Sequence, residues 1–123
     1  MCSSDLIEFR GSVEDTASLL ASADCGVLSS NSEGLPVALL EYGMAGLPVV
    51  VTDVGQCEEV TGHGKYGHVI SPGGYESMAD KLREILVNRY QAFIMGSAFR
   101  KHVIEKYGPG QFMDKYQTLL TRI

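Results

Sequence analysis

A chain of 123 residues, 45% of them hydrophobic, has room for one packed domain and the apolar material to give it a core. Its formal charge of −5 argues against a general nucleic-acid-binding surface. No apolar run approaches the roughly 18 residues that a membrane-spanning helix needs, and residues 1–10 lack the apolar centre of a signal peptide.

Residues 6–9 alternate apolar and polar and predict a short strand. Ser12 followed three residues on by Asp15 has the form of a capping box. It opens a helix carrying Val13, Ala17, Leu19, Leu20 and Ala23. Residues 25–29 predict the next strand, and Cys25 inside it reads as a small buried hydrophobe. The three cysteines, Cys2, Cys25 and Cys57, have no paired spacing, so reduced thiols and a cytoplasmic setting are expected. Residues 36–45 predict a helix with Pro36 in its first turn, where a missing N–H is tolerated, and Gly46 just past its end. Pro48 stops any continuation. The run Val49-Val50-Val51-Thr52 predicts a strand buried on both faces. A short helix is expected over 56–61, a last short strand over 68–70, and a loop at Ser71-Pro72-Gly73-Gly74.

Three helices are expected to finish the chain. Met78, Leu82, Ile85 and Leu86 recur at helical spacing, as do Tyr90, Phe93, Ile94, Ala98 and Val103. After Gly108-Pro109-Gly110, the residues Phe112, Met113, Tyr116, Leu119, Leu120 and Ile123 form a third stripe. Strands alternating with helices define an α/β fold with a parallel sheet. The expected division is an α/β core over 1–88 and C-terminal helices over 89–123.

The chemistry concentrates in residues 30–41. A strand, a polar loop containing Gly34 and a helix N-terminus make a ready anion site. Gly34 lacks a Cβ, so a ligand can approach the backbone closely. Free N–H groups at the helix start, Pro36 excepted, can take phosphate oxygens. Two carboxylates, Glu33 and Glu41, flank this site. They would repel a phosphate, yet each can accept hydrogen bonds from neighbouring hydroxyls. A ligand with a diphosphate in the middle and polyols at both ends suits that pattern, and a nucleotide-sugar is such a ligand. The plainer alternatives are a solvated helix Glu41 near the positive end of the helix dipole and a Glu33 that caps the helix N-terminus. His63, His68 and His102 have no metal-ligand spacing. Arg100, Lys101 and His102, with Glu105 and Lys106, read as a charged helix face, with contact to anionic membrane lipid as the alternative reading.

The text Ser32-Glu33-Gly34-Leu35-Pro36, Glu41 and Gly46-Leu47-Pro48-Val49-Val50-Val51-Thr52 resembles the donor-binding half of the group 1 glycosyltransferases of the GT-B fold. The likeness continues through Gly55, Glu59, Gly67-His68-Val69-Ile70 and Pro72-Gly73, and covers about residues 9–86. It implies a Rossmann-like parallel sheet flanked by helices, forming part of a C-terminal nucleotide-sugar-binding domain. Glu41 would hold the nucleotide ribose. Glu33 would contact hydroxyls of the transferred sugar and orient the reacting carbon, with no side chain assigned as nucleophile. The backbone of Gly34, Leu35, Pro36 and Val37 would meet the diphosphate. The implied donor is UDP-, GDP- or ADP-linked, the acceptor a sugar or a lipid-linked sugar, and the transfer one with retention. No cofactor and no metal are implied, and no Asp-x-Asp element appears. Family members have a second glycine where this chain has Gln56, which leaves that loop's role open.

The resemblance also implies an absent N-terminal half, so the chain reads as part of a larger enzyme, without transferase activity on its own. Two strands expected between residues 6–9 and 25–29 in the sheet would be missing. That leaves a sheet edge able to seek a partner, by re-pairing within the chain or as a homodimer. In its full-length setting the enzyme is expected in the cytoplasm, with peripheral contact at the inner face of the membrane. The competing function is a nucleotide- or partner-binding α/β module that catalyses nothing. A complete Glu33 and Glu41 pair favours the enzyme.

Overall fold

A computed structural model describes residues 16–29 and 37–107. Eight elements follow in order: α1 (Thr16–Ala21), β1 (Gly26–Leu28), α2 (Val37–Met44), β2 (Val49–Thr52), α3 (Cys57–Val60), β3 (His68–Ile70), α4 (Tyr75–Val87) and α5 (Arg89–Tyr107). The expected strand at 6–9, the Ser12 capping box, the loop carrying Glu33, Gly34, Leu35 and Pro36, and the stripe beyond Gly108 lie outside the described residues.

The three strands form a parallel sheet in the order β1-β2-β3. Each junction is a strand–helix–strand step, which parallel pairing requires. β2 lies at the centre because its side chains tolerate burial on both faces. Val49, Val50 and Val51 are 0% exposed and Thr52 is 3% exposed. On one face Val49 and Val51 pack with Leu39, Leu40 and Met44 of α2, Val60 of α3, and Phe99 and Val103 of α5. On the other, Val50 packs with Ile70, Ile85 of α4 and Ala92 of α5. The result is the layered α/β architecture, Rossmann-like, that the alternating pattern predicts.

α2 ends as its glycine dictates. Gly46 takes φ +73, Gly46 N–H donates to the Gly43 carbonyl at 2.9 Å, and Leu47 N–H donates to the Tyr42 carbonyl at 3.1 Å. This pair of bonds closes the helix C-terminus and satisfies carbonyls that the helix leaves free.

α5 contributes to both faces, with Ala92 in one cluster and Phe99 and Val103 in the other. It passes under the amino end of β2, where Gly96 lies so close to the Gly46 carbonyl that a Cβ there would collide with backbone. Its buried stripe is Ala92, Gly96, Phe99 and Val103, which keeps Val103 of the expected stripe and corrects the rest. Tyr90, Phe93 and Ile94 are periodic but face outward, at 73%, 68% and 45% exposure. In α4, Ile85 is buried and Met78 and Leu82 pack beside it, while Leu86 turns out to solvent.

Candidate functional site

α2 runs opposite to β1. The Tyr42 ring, late in the helix, covers Gly26 at the start of β1, where a Cβ would sit 2.5 Å from the ring. The first residue of α2, Val37, therefore lies toward the carboxyl end of β1. That end is where ligands bind in open α/β sheets. Val37 is half exposed there. Glu41 follows four residues later, on the same helical face and partly buried. Side chains of a helix lean toward its N-terminus, so the Glu41 carboxylate is directed back toward the first turn. Burial, with the neighbouring Glu41 charge adding to it, pushes the Tyr42 hydroxyl above its ordinary pKa.

The carboxyl ends of all three strands converge on one small cleft of about 50 Å³. Ser29 follows β1, Thr52 ends β2 and Ile70 ends β3, with Gly73, Gly74 and Tyr75 closing the far side. Thr52 Oγ1 donates to the Leu28 carbonyl at 3.4 Å, tying β2 to β1 at this edge. Tyr75 begins α4 and is 79% exposed on the rim. Sequence reasoning missed Ser29, Thr52 and Tyr75. Thr52 was findable, since it closes the β-branched run at the strand end where ligands bind. Nothing in the pattern marked Tyr75. A larger cavity of about 460 Å³ lies at the other end of β3, lined by Tyr66, His68, Ile85, Ala92 and Met95 among others. It is remote from the converging strand ends.

The loop after β2 turns through Gly55 at φ +53. Gln56, standing where a second glycine was expected, has φ −95 and ψ 12 as the residue preceding α3. That φ is negative, so the position does not require a glycine's conformational freedom. Glu58 and Glu59 engage partners away from the cleft. Glu58 meets His63 Nδ1 at 3.3 Å and Glu59 meets Lys106 Nζ at 3.4 Å, both on the surface.

The charged face expected around residue 100 divides. Arg100 and Lys101 are exposed, but His102 turns in and stacks on Tyr66, ring centroids 4.6 Å apart. Burial holds its pKa below the ordinary value, with Lys106 and Lys65 acting the same way and Glu105 and a hydrogen bond to the Val60 backbone opposing. Among the described residues, no group of three or more His, Cys, Asp or Glu side chains converges, and no helix is long and apolar enough to cross a membrane.

The family model described as Glycosyl transferases group 1 fits residues 2–88. The chain is 30% identical over 115 residues to the N-acetyl-alpha-D-glucosaminyl L-malate synthase of Bacillus anthracis, covering 94% of this chain and 30% of that protein. It is 35% identical over 104 residues to the sulfoquinovosyl transferase SQD2 of Arabidopsis thaliana, covering 80% and 20% respectively. The crystal structure of TarM aligns with a TM-score of 0.75 at 27% identity, over 89% of this chain and 22% of TarM. The chain belongs to the group 1 glycosyltransferases. It spans about a third or less of the length of these relatives.

Proposed function

We propose that this chain is the donor-binding part of a glycosyltransferase that moves a sugar from a nucleotide-sugar to an acceptor with retention. The observation that carries the reading is the position of Glu41: partly buried on α2, one turn behind a helix start that lies toward the carboxyl end of the sheet. A carboxylate there can accept both hydroxyls of a ribose while the diphosphate meets N–H groups at the start of the helix. In this reading Glu33 contacts the transferred sugar, and the backbone of Gly34, Leu35 and Val37 stabilises charge on the departing diphosphate. Preorganised donors of that kind are electrostatic catalysts. The names of relatives support the donor class, among them a GDP-mannose-dependent mannosyltransferase of Mycobacterium tuberculosis, 35% identical over 75 residues. The acceptor is a sugar or a lipid-linked sugar, the setting cytoplasmic, and the reaction independent of added metal.

The chain alone supplies part of the cleft, so it binds donor weakly and turns nothing over. Binding at about millimolar strength corresponds to about −4 kcal/mol. Ligand-observed NMR of the chain with UDP, GDP and ADP tests the reading. Saturation transfer to one nucleotide is expected. Transfer to none of the three, at millimolar concentration, contradicts the donor-binding assignment. For the whole protein, the same reading expects activity unchanged by EDTA and a product of retained anomeric configuration, read by proton NMR.

A further inference from the structure

The cavity of about 460 Å³ at the amino end of β3 has no part in the donor site. It opens because α5 presents small side chains there. Ala92 and Ala98, with Met95 between them at helical spacing, form one wall. Ile85 of α4 and Tyr66, just ahead of β3, complete the floor. Tyr66 is fixed in place, since its ring stacks on His102 with centroids 4.6 Å apart. Met95 is unbranched and can adjust to the shape of a guest. A concave, mainly apolar space of this size, with a few polar groups at its rim, is the usual form of a small-molecule site.

The polar groups at the rim select the guest. Of the charged side chains at the cavity, Glu84 is engaged by Lys81 at 3.4 Å. Lys65 forms no ion pair among the described residues, and its Nζ stands 5.4 Å from the centre of the Tyr66 ring. The cavity thus offers one uncommitted cation beside an apolar floor. Burial lowers the pKa of His68, so near neutral pH it joins Asn88 and Gln91 as an uncharged hydrogen-bonding group. A polyol or a nucleotide would leave hydroxyls unpaired against Ile85, Ala92, Met95 and Ala98. A metal ion would meet only His68 and Glu84 among ligating side chains. We propose that this cavity binds a small amphipathic acid, its apolar body seated on Tyr66, Ile85 and Met95 and its carboxylate at Lys65. Ile85 and Ala92 also pack with Val50 of the central strand, so the occupant stabilises the sheet from the end opposite the candidate donor site. Its binding is independent of the nucleotide that the donor site takes.

Two-dimensional NMR of the isotope-labelled 123-residue chain tests it, with 2-naphthoate and the uncharged 2-naphthamide as matched probes. Amide shifts are expected to concentrate at residues 65–68, 84–88 and 91–98, which line the cavity. The naphthoate should bind about fivefold more tightly than the amide, the scale of a partly exposed ion pair. Lys65→Gln should remove that preference and Lys65→Arg should keep it. Ala98→Phe, which fills the cavity, should abolish binding of both probes. Lys65 is exposed and Ala98 partly so, and an unchanged far-UV circular dichroism spectrum verifies that the variants fold. No shifts at the cavity with millimolar probe, equal affinity for the two probes, or a preference that survives Lys65→Gln overturns the proposal. So does binding unchanged in Ala98→Phe. Displacement of the naphthoate by UDP, GDP or ADP would also overturn it, by assigning the cavity to the nucleotide.

Discussion

The Tyr42 hydroxyl donates to the Val27 carbonyl at 3.2 Å. In β1 the N–H and C=O of Gly26 and Leu28 face β2, as the bond from Gly26 N–H to the Pro48 carbonyl shows. Val27 therefore presents its backbone to the opposite side. The carbonyl that another strand would use on that side is taken by a side chain from α2, and the same ring covers Gly26. One tyrosine thus fixes both the distance and the direction of the helix that carries Glu41.

Tyr42→Phe keeps the ring and removes the hydroxyl. Urea denaturation should show a loss of about 0.5–1.5 kcal/mol. Gly26→Ala should cost about 1–3 kcal/mol, because its Cβ falls inside the ring's contact distance. Combining Gly26→Ala with Tyr42→Ala should recover part of that cost, since the two groups compete for one space. Additive losses would mean that the ring does not occupy the space above Gly26.

Gly96→Ala reverses the usual helix rule. Alanine is ordinarily better than glycine inside a helix by about 1 kcal/mol. Here the added methyl meets the Gly46 carbonyl, which belongs to the backbone and cannot swing away. A net destabilisation of about 1–3 kcal/mol is expected, while Ser97→Ala on the exposed side should stay within about 0.5 kcal/mol of wild type. A stabilised Gly96→Ala would show that α5 does not approach the α2–β2 connection.

Acid should weaken the fold through its partly buried imidazoles. His102 is held below its ordinary pKa chiefly by burial, its Nε2 is enclosed with no hydrogen-bond partner among the described residues, and His68 is lowered by burial as well. A group whose folded pKa is lowered takes up protons first in the unfolded chain. Its contribution is complete above the unfolded value of about 6.5 and is lost as pH falls below it. The urea midpoint should therefore decline from about pH 7.5 to about pH 5.5. His102→Phe, which keeps a ring against Tyr66 without the titration, should flatten that decline. An unchanged slope in the variant would remove His102 as a cause.

How much of this was legible in the sequence depended on the kind of signal. β2 was plain because four consecutive β-branched residues leave few alternatives to a buried parallel strand. Gly46 was legible because a glycine that closes a helix pattern and is followed two residues on by Pro48 has a defined job. α5 misled because periodicity reports a stripe without saying which side is buried, and this helix has two. The apolar weight of Tyr90, Phe93 and Ile94 pointed outward, whereas the core stripe uses Ala92 and Gly96, whose value is small size against a neighbouring backbone. His102 resembled its charged neighbours until the fold brought Tyr66 beside it from 36 residues earlier in the chain. At the candidate site, Glu41 is proposed from its motif. Thr52 and Tyr75 meet Ser29 only through the alignment of three strand ends, which no local pattern records.

The most direct test of the account concerns Glu41 and ribose. Saturation-transfer titrations would compare wild type with Glu41→Ala, each with the preferred nucleoside diphosphate and with its 2′-deoxy form. Wild type should favour the ribonucleotide by about tenfold, about 1.4 kcal/mol, as expected when a hydroxyl loses a charged acceptor. Glu41→Ala should bind both forms equally and weakly. Discrimination that survives in Glu41→Ala would contradict the assignment and remove Glu41 from the donor site.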